Sequence, residues 1–208
     1  EPQDGLVTTL IGLPGAPSLE LGIEGEGPID DFTAQIRLAS DGEDRLSGTV
    51  ELDGMQPVQG EEPSQSFRAD LSGDIAPLFA PEYRDFFGTD IRLVAEGGRQ
   101  PDGTIALRTL DLSAESLSLT GAAVIGPDGW PRSFALDGEI AAGGQPVLLP
   151  IAGERTLIGQ MRLSAGFDAD EGEGWQLDAQ ISALDRPDID ADSVNLRGSG
   201  TIDREAGQ

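Results

Sequence analysis

The fold class is decided by the stretch Leu117-Ser-Leu-Thr-Gly-Ala-Ala-Val-Ile125 and by Phe134-Ala-Leu-Asp-Gly-Glu-Ile140, which follows it after a turn at Asp128-Gly129. In both runs apolar residues occupy every second position, and this alternation places them on one face of a β-strand. Asp-Gly supplies the positive-φ residue that a tight turn needs, so the two strands are expected to be antiparallel. The stretch therefore predicts a β-hairpin with one apolar face.

The same alternation recurs along the whole chain and predicts an all-β fold. About a dozen strands are expected to form an elongated, curved, mainly antiparallel sheet with an apolar interior, an open groove of the β-taco kind. A closed β-sandwich is the alternative, because alternation alone does not separate the two architectures. Only 5% of the residues are aromatic, and thin apolar faces favour the open groove. The positions predicted to line it are Leu21, Ile23, Ile36, Leu38, Leu46, Val50, Leu52, Leu71, Ile105, Leu107, Leu117, Leu119, Leu136, Ile140, Met161, Leu163, Leu177, Ile181, Val194, Leu196 and Ile202.

A Leu-polar-Gly triplet recurs five times in these strands, beginning at Leu46, Leu71, Leu119, Leu136 and Leu196. Residues two apart share a strand face, so each triplet places a glycine beside a leucine on the apolar side. Glycine weakens a strand and packs nothing. The repeat therefore indicates sharp curvature of the sheet or the close approach of another group.

The segment from Pro77 to Gly88 breaks the alternation. Its aromatic residues are spaced at helical intervals, Pro81 suits a first helical position and Gly88 suits a C-terminal cap. We predict a short helix near residues 78–87, inserted in an otherwise continuous β-segment that covers residues 1–208 of a longer protein. The helix is expected to plug one end or flank of the sheet, or to act as a gate over the apolar face, through Phe79, Tyr83, Phe86 and Phe87.

Charge and missing residue types exclude several classes of function. The 208 residues carry 38 acidic and 13 basic side chains, a net charge of −25, which disfavours binding to nucleic acid. There is no His, Cys or Lys, so His-dependent nucleophiles, ordinary zinc sites, P-loops and Schiff bases are excluded. We predict no catalytic residue, metal or cofactor. The sequence also contains neither a signal peptide nor an apolar run of membrane-spanning length, so an anchor is expected outside it.

Three alternatives use the same residues differently. A glycosidase-like enzyme would need two carboxylates converging in a cleft, whereas the acidic residues fall mainly in turns and on polar strand faces. Calcium could bind the acidic runs 168–173 or 188–192, but neither run matches an EF-hand loop. A scaffold or adhesion module of the cell envelope would be a closed sandwich that transports nothing.

Residues 19–52 and 110–140 share a sequence pattern: a strand with alternating apolar residues, an Asp-Gly turn and a strand that contains a Leu-polar-Gly triplet. In this pattern the chain resembles the middle portion of TamB-like translocation and assembly module proteins, especially those of alphaproteobacteria. These proteins form an AsmA-like family of bridge-like lipid transfer proteins. The insert at residues 77–88 departs from the family pattern.

The resemblance implies a periplasmic segment of an inner-membrane-anchored protein that is not an enzyme. It implies a hydrophobic groove for phospholipid transport between the inner and outer membranes, for outer-membrane protein and autotransporter assembly, or for both. The implied partners are phospholipid acyl chains or unfolded outer-membrane protein strands, together with the outer-membrane barrel TamA through other parts of the parent chain. The family has no sharp motif, so only the apolar positions carry over, as a lining.

Overall fold

The computed structural model describes residues 18–28, 31–55, 64–151, 153–172 and 174–202. They form a single curved, antiparallel sheet of 13 strands that does not close on itself, which confirms the predicted all-β fold. The strands are joined in one sheet, not two. They are β1 (Leu19–Glu26), β2 (Asp31–Ser40), β3 (Glu43–Met55), β4 (Ser64–Gly73), β5 (Ile91–Arg99), β6 (Ile105–Ser113), β7 (Leu117–Ile125), β8 (Pro131–Ala141), β9 (Val147–Leu148), β10 (Leu157–Ile158), β11 (Gln160–Asp168), β12 (Gly174–Arg186) and β13 (Ile189–Thr201).

The strand order follows the sequence with one short side branch. Each strand from β1 to β8 pairs with the next, β8 then pairs with β11, and β12 and β13 complete the sheet. The short hairpin, β9 with β10, extends alongside β12 beyond the start of β11. Among the described residues β1 pairs only with β2, and β13 only with β12. β1 and β13 are therefore the two open edges of the sheet that the described residues form.

Four irregularities in strand pairing bend the sheet. The register shifts between Leu38 and Ala39, between Glu96 and Gly97, between Leu107 and Leu110, and between Val124 and Ile125. A β-bulge bends its strand and increases the local right-handed twist. The four register shifts therefore account for the curvature of this sheet.

The helical segment is shorter than the sequence pattern predicts. Two 3₁₀ turns, Ala76–Leu78 and Pro81–Tyr83, precede a single-turn helix, α1 (Arg84–Phe87). Proline disfavours the helical conformation in the residue before it, and Ala80 is extended with ψ 144°. Pro81 therefore divides the segment. The predicted glycine cap is present, since Gly88 has φ 66° and its amide donates to the carbonyl of Arg84 at 2.9 Å.

Two clusters of buried apolar residues lie around this segment, and Ala34, Phe167 and Ala179 are buried elsewhere in the strands. One cluster contains Leu19 and Leu78, with Leu38, Ile75 and Phe79 packed against it. The other contains Phe86 together with Val147 and Ile158 of the short hairpin. The partly buried residues around this second cluster are Phe87, Leu117, Ile140, Ala142, Leu149, Met161, Ile181 and Leu184. The two packed clusters therefore lie at one end of the strands.

Candidate functional site

The candidate site is the apolar face of the sheet, and the strand register organises it into rows. Residues directly opposite each other on paired strands project from the same face. One unbroken chain of such partners crosses eleven strands, β1 to β8 and β11 to β13, and we name it aliphatic row one. It runs through Ile23, Ile36, Gly48, Leu71, Leu93, Leu112, Leu119, Gly138, Leu163, Ala179 and Leu196.

A second row runs beside the first across the same eleven strands. Aliphatic row two contains only glycine, alanine, valine and leucine. Its members are Gly25, Ala34, Val50, Ala69, Ala95, Leu110, Gly121, Leu136, Ala165, Leu177 and Gly198. The apolar alternation of the sequence is thus aligned between strands as well as along them.

A third row collects all five aromatic residues of the strands. This aromatic row contains Phe32, Leu52, Phe67, Gly97, Leu107, Ala123, Phe134, Phe167, Trp175 and Gly200. The rings of Phe134 and Phe167 are neighbours, with centroids 5.9 Å apart. Aromatic residues within the strands are therefore confined to one side of the apolar face.

Glycines make room for three of these rings. A Cβ added at Gly97 would lie 2.4 Å from the Phe67 ring, and one added at Gly200 would lie 2.7 Å from Nε1 of Trp175. Gly25 would meet the Phe32 ring in the same way. Since each ring occupies the space that a side chain would fill on the next strand, the rings lie against the sheet. These three glycines lie outside the five Leu-polar-Gly triplets. Among the triplet glycines, Gly198 also lies against a ring, because a Cβ added there would be 3.2 Å from Trp175.

The opposite side of the apolar face is an end row, made of Leu21, Leu38, Leu46, Leu117, Ile140, Met161, Ile181 and Val194. We call residues 76–87 the aromatic segment, and it packs on this row at Leu38, Leu117 and Ile140. The ring of Phe79 stacks on that of Phe87 with centroids 3.9 Å apart, which joins the two buried clusters. The aromatic segment therefore covers much of the end row.

The four residues predicted as a gate or plug all lie at this covered end. Phe86 is 6% exposed and makes an edge contact with Phe87 at 5.1 Å between centroids. Phe79 and Tyr83 are half-buried. Two backbone hydrogen bonds hold the segment on the sheet, from the amide of Glu115 to the carbonyl of Phe87 and from that of Ser116 to the carbonyl of Phe86. A gating movement of these residues stays a prediction.

The rows bring together most of the residues predicted to line the apolar face. Ile105 stands outside the aromatic row, opposite Ile125 on β7, and Ile202 follows the end of β13. Sequence reasoning missed Leu93, Leu110 and Leu112, although their spacing follows the same alternation. It also left the five strand aromatics out of the predicted lining. The alternation of apolar residues places these aromatics on the apolar face, but their alignment in one row depends on register.

Exposure of the apolar face is greatest at the two open edges of the sheet. Leu21 and Ile23 on β1 are 62% and 61% exposed, and Leu196 on β13 is 49% exposed. The remaining members of aliphatic row one are mostly half-buried by their neighbours within the sheet. The row is thus open to solvent outside the area covered by the aromatic segment.

The other face of the sheet is polar and carries cross-strand ion pairs. Arg92 pairs with Asp70 at 2.8 Å, Arg197 with Asp178 at 3.1 Å, and Arg68 with Glu96. The hydrogen bond from Arg92 lowers the pKa of Asp70 below its ordinary value. These pairs are largely exposed, and exposed pairs contribute little to stability. Their direct effect is to match opposite charges between neighbouring strands.

A shallow depression of about 440 Å³ also lies on the polar face, over β7, β8, β11 and β12. Its polar side chains include Asp137, Glu139, Arg162 and Asp178. Arg162 and Glu139 approach each other to 3.8 Å, so part of the charge is paired. Among the described residues, no three His, Cys, Asp or Glu side chains are grouped so that they could hold a metal ion.

Within the described part of the chain, no helix has the length and apolar character required to cross a membrane. No protein-family model, curated protein or solved structure matches this chain.

Proposed function

We propose that this chain is a periplasmic segment of a TamB-like protein whose apolar face holds phospholipid acyl chains during transport between the inner and outer membranes. The observation that carries the proposal is the pair of aliphatic rows, each continuous across eleven strands. An acyl chain in water costs about 0.8 kcal/mol for each exposed CH₂ group, and a continuous apolar surface removes much of that cost.

The composition of the rows supports transport over tight binding. Leucine, isoleucine, valine, alanine and glycine offer no directional polar contact, so an acyl chain at any position along a row meets similar surroundings. Because many weak contacts replace a few strong ones, the chain can move without crossing a large barrier. The acidic polar face would keep this broad surface from aggregating.

The same surface supports a role in outer-membrane protein assembly. Within the described residues β1 and β13 are the edge strands, and both carry exposed apolar side chains, a combination that also suits the addition of an extended strand. Contact with TamA would be made by other parts of the parent protein. We place lipid first because the rows extend across the whole sheet and are not confined to its edges.

The direct test is mass spectrometry of lipids extracted from the purified protein. We expect phospholipid to copurify, and delipidated protein to regain it from vesicles. Folded protein that neither retains nor takes up phospholipid would overturn the proposal.

A matched pair of variants assigns the binding to one face. The double variant Leu119→Glu, Leu163→Glu places two charges in aliphatic row one, and an acyl chain beside unpaired charges is disfavoured. We expect it to lose most of the bound lipid. The control Thr120→Glu, Ser164→Glu adds the same charge on the polar face at the next residue of each strand, and should retain lipid. Equal retention by both variants would show that lipid binds elsewhere.

A further inference from the structure

We propose that bound acyl chains lie along the strands, with their methyl ends toward the aromatic segment and the lipid headgroups at the opposite rim of the sheet, beside the aromatic row. This inference rests on the proposed function and adds a direction to it. Lipids would then move across the strands with all headgroups emerging on one side.

Where the aromatic segment and the short hairpin cover it, the end row is unavailable to a ligand, whereas Leu21 on β1 is 62% exposed. Phe86 is 6% exposed and, in the short hairpin, Ile158 is 0% exposed. The backbone hydrogen bonds from Glu115 and Ser116, at 3.2 and 3.1 Å, fix the segment there. An acyl chain that lies along a strand from the open side therefore meets the aromatic segment and stops.

The length of the uncovered face fits this orientation. On β7 the uncovered positions run from Leu119 in aliphatic row one to Ile125 beyond the aromatic row. These residues are six positions apart, and at about 3.3 Å per residue they span about 20 Å. The hydrocarbon core of a bilayer is about 30 Å thick, so the acyl chains of one leaflet occupy about 15 Å. One layer of acyl chains fits between the aromatic segment and the rim.

The aromatic row lies where the headgroup end of such a lipid would be. Trp and other amphipathic rings prefer the boundary between hydrocarbon and headgroups, and Trp175 belongs to this row. The two aliphatic rows between it and the aromatic segment contain no aromatic residue. The face thus changes from aliphatic to aromatic toward the rim.

A cationic side chain is present at the same rim. Arg99 is exposed and stands directly opposite Ile105 in the strand register. A guanidinium group is suited to a lipid phosphate, which it can bind through two parallel hydrogen bonds. The polar turn at Asp102 and Thr104 follows immediately. The rim therefore presents a cation and the polar groups of this turn, including the Asp102 carboxylate, beside the aromatic row.

The chain's two tryptophans allow the orientation to be measured. In Trp130→Phe protein the remaining tryptophan, Trp175, reports from the aromatic row. Trp130→Phe, Trp175→Phe, Leu163→Trp protein reports from aliphatic row one, nearer the aromatic segment. Each is loaded with phosphatidylcholine brominated either near the carboxyl end or near the methyl end of its acyl chains, and fluorescence quenching by the two lipids is compared as a ratio.

We expect the carboxyl-end bromines to quench Trp175 more strongly, giving a ratio above one, and the methyl-end bromines to quench the Leu163→Trp reporter more strongly, giving a ratio below one. Equal ratios at the two positions, or the reverse order, would overturn the orientation while leaving lipid binding intact. Quenching by neither lipid at either position would instead overturn the proposed function. Leu119→Trp, in the same row on β7, replaces Leu163→Trp if circular dichroism shows that the latter is unfolded.

Discussion

The covered end and the uncovered rows of the apolar face are built from the same kinds of residue, yet they differ in what lies on them. At the covered end, Phe86 of the aromatic segment and Ile158 of the short hairpin are almost fully buried. In aliphatic row one, Ile23 and Leu196 remain about half exposed or more. The difference indicates that the covered end contributes most of the tertiary packing, whereas the uncovered rows remain available for binding.

The largest expected effect compares two phenylalanines on the same face. Phe86→Ala should lower the free energy of unfolding by about 3–5 kcal/mol, because it leaves a cavity among buried residues. Phe134→Ala, at a half-buried position of the aromatic row, should cost less than half as much. Urea denaturation followed by circular dichroism measures both. Equal losses would show that the aromatic row is packed as tightly as the covered end.

A smaller effect tests whether glycine is needed where rings lie against the sheet. Gly97→Ala should cost about 1–3 kcal/mol, because its Cβ would lie 2.4 Å from both the Phe67 ring and the carbonyl oxygen of Ala106. Gly166→Ala is the control on the polar face, where the nearest atom is 3.7 Å away. It should be neutral or stabilise by up to about 1 kcal/mol, since alanine loses less backbone entropy than glycine. The same urea titrations distinguish the two, and a harmless Gly97→Ala would contradict the proposed ring placement.

The smallest effect concerns a turn at the uncovered rim. The backbone amide and the hydroxyl of Thr104 donate to Asp102, at 2.8 and 2.9 Å, and lower the pKa of its carboxyl below the ordinary value of 3.8. A carboxyl group whose pKa is lower in the folded state than in the unfolded state stabilises the fold when the pH is above its unfolded-state pKa. This stabilisation is lost as the pH falls through the folded-state pKa.

Thr104→Val removes the hydroxyl donor and should raise the pKa of Asp102 toward its ordinary value, as measured by NMR titration of the carboxyl carbon. The stability difference between this variant and the wild type should be larger near neutral pH and shrink below 3.8. Thr120→Val, a mid-strand substitution on the polar face, is the control and should leave the Asp102 titration unchanged. An unaltered Asp102 titration in Thr104→Val would show that the backbone amide alone holds the carboxylate.

The sequence allowed the class of fold to be predicted because alternation is a property of each strand alone. It did not allow the rows to be predicted, since these depend on register, which turns and bulges set. The alignment of Phe67, Phe134 and Trp175 is an example. Pro81 occupies a first helical position as predicted, at the start of the second 3₁₀ turn, but the aromatic spacing does not indicate that the segment divides at Ala80.

The short hairpin was missed altogether. Val147–Leu148 and Leu157–Ile158 are two residues each, too short for any periodicity to be visible. Their burial against Phe86 is a long-range contact that local pattern does not encode. The aligned rows and the covered end are thus the parts of the molecule that required three-dimensional information.

The two open edges have a consequence for how such a protein can change in length. Since most strands contact only their immediate neighbours in the sheet, stability is approximately a sum of local pairings, as in repeat proteins. Removing or duplicating one hairpin would preserve strand direction at both edges and keep the apolar positions in phase. Evolution can therefore adjust the reach of such a sheet two strands at a time, leaving its cross-section unchanged.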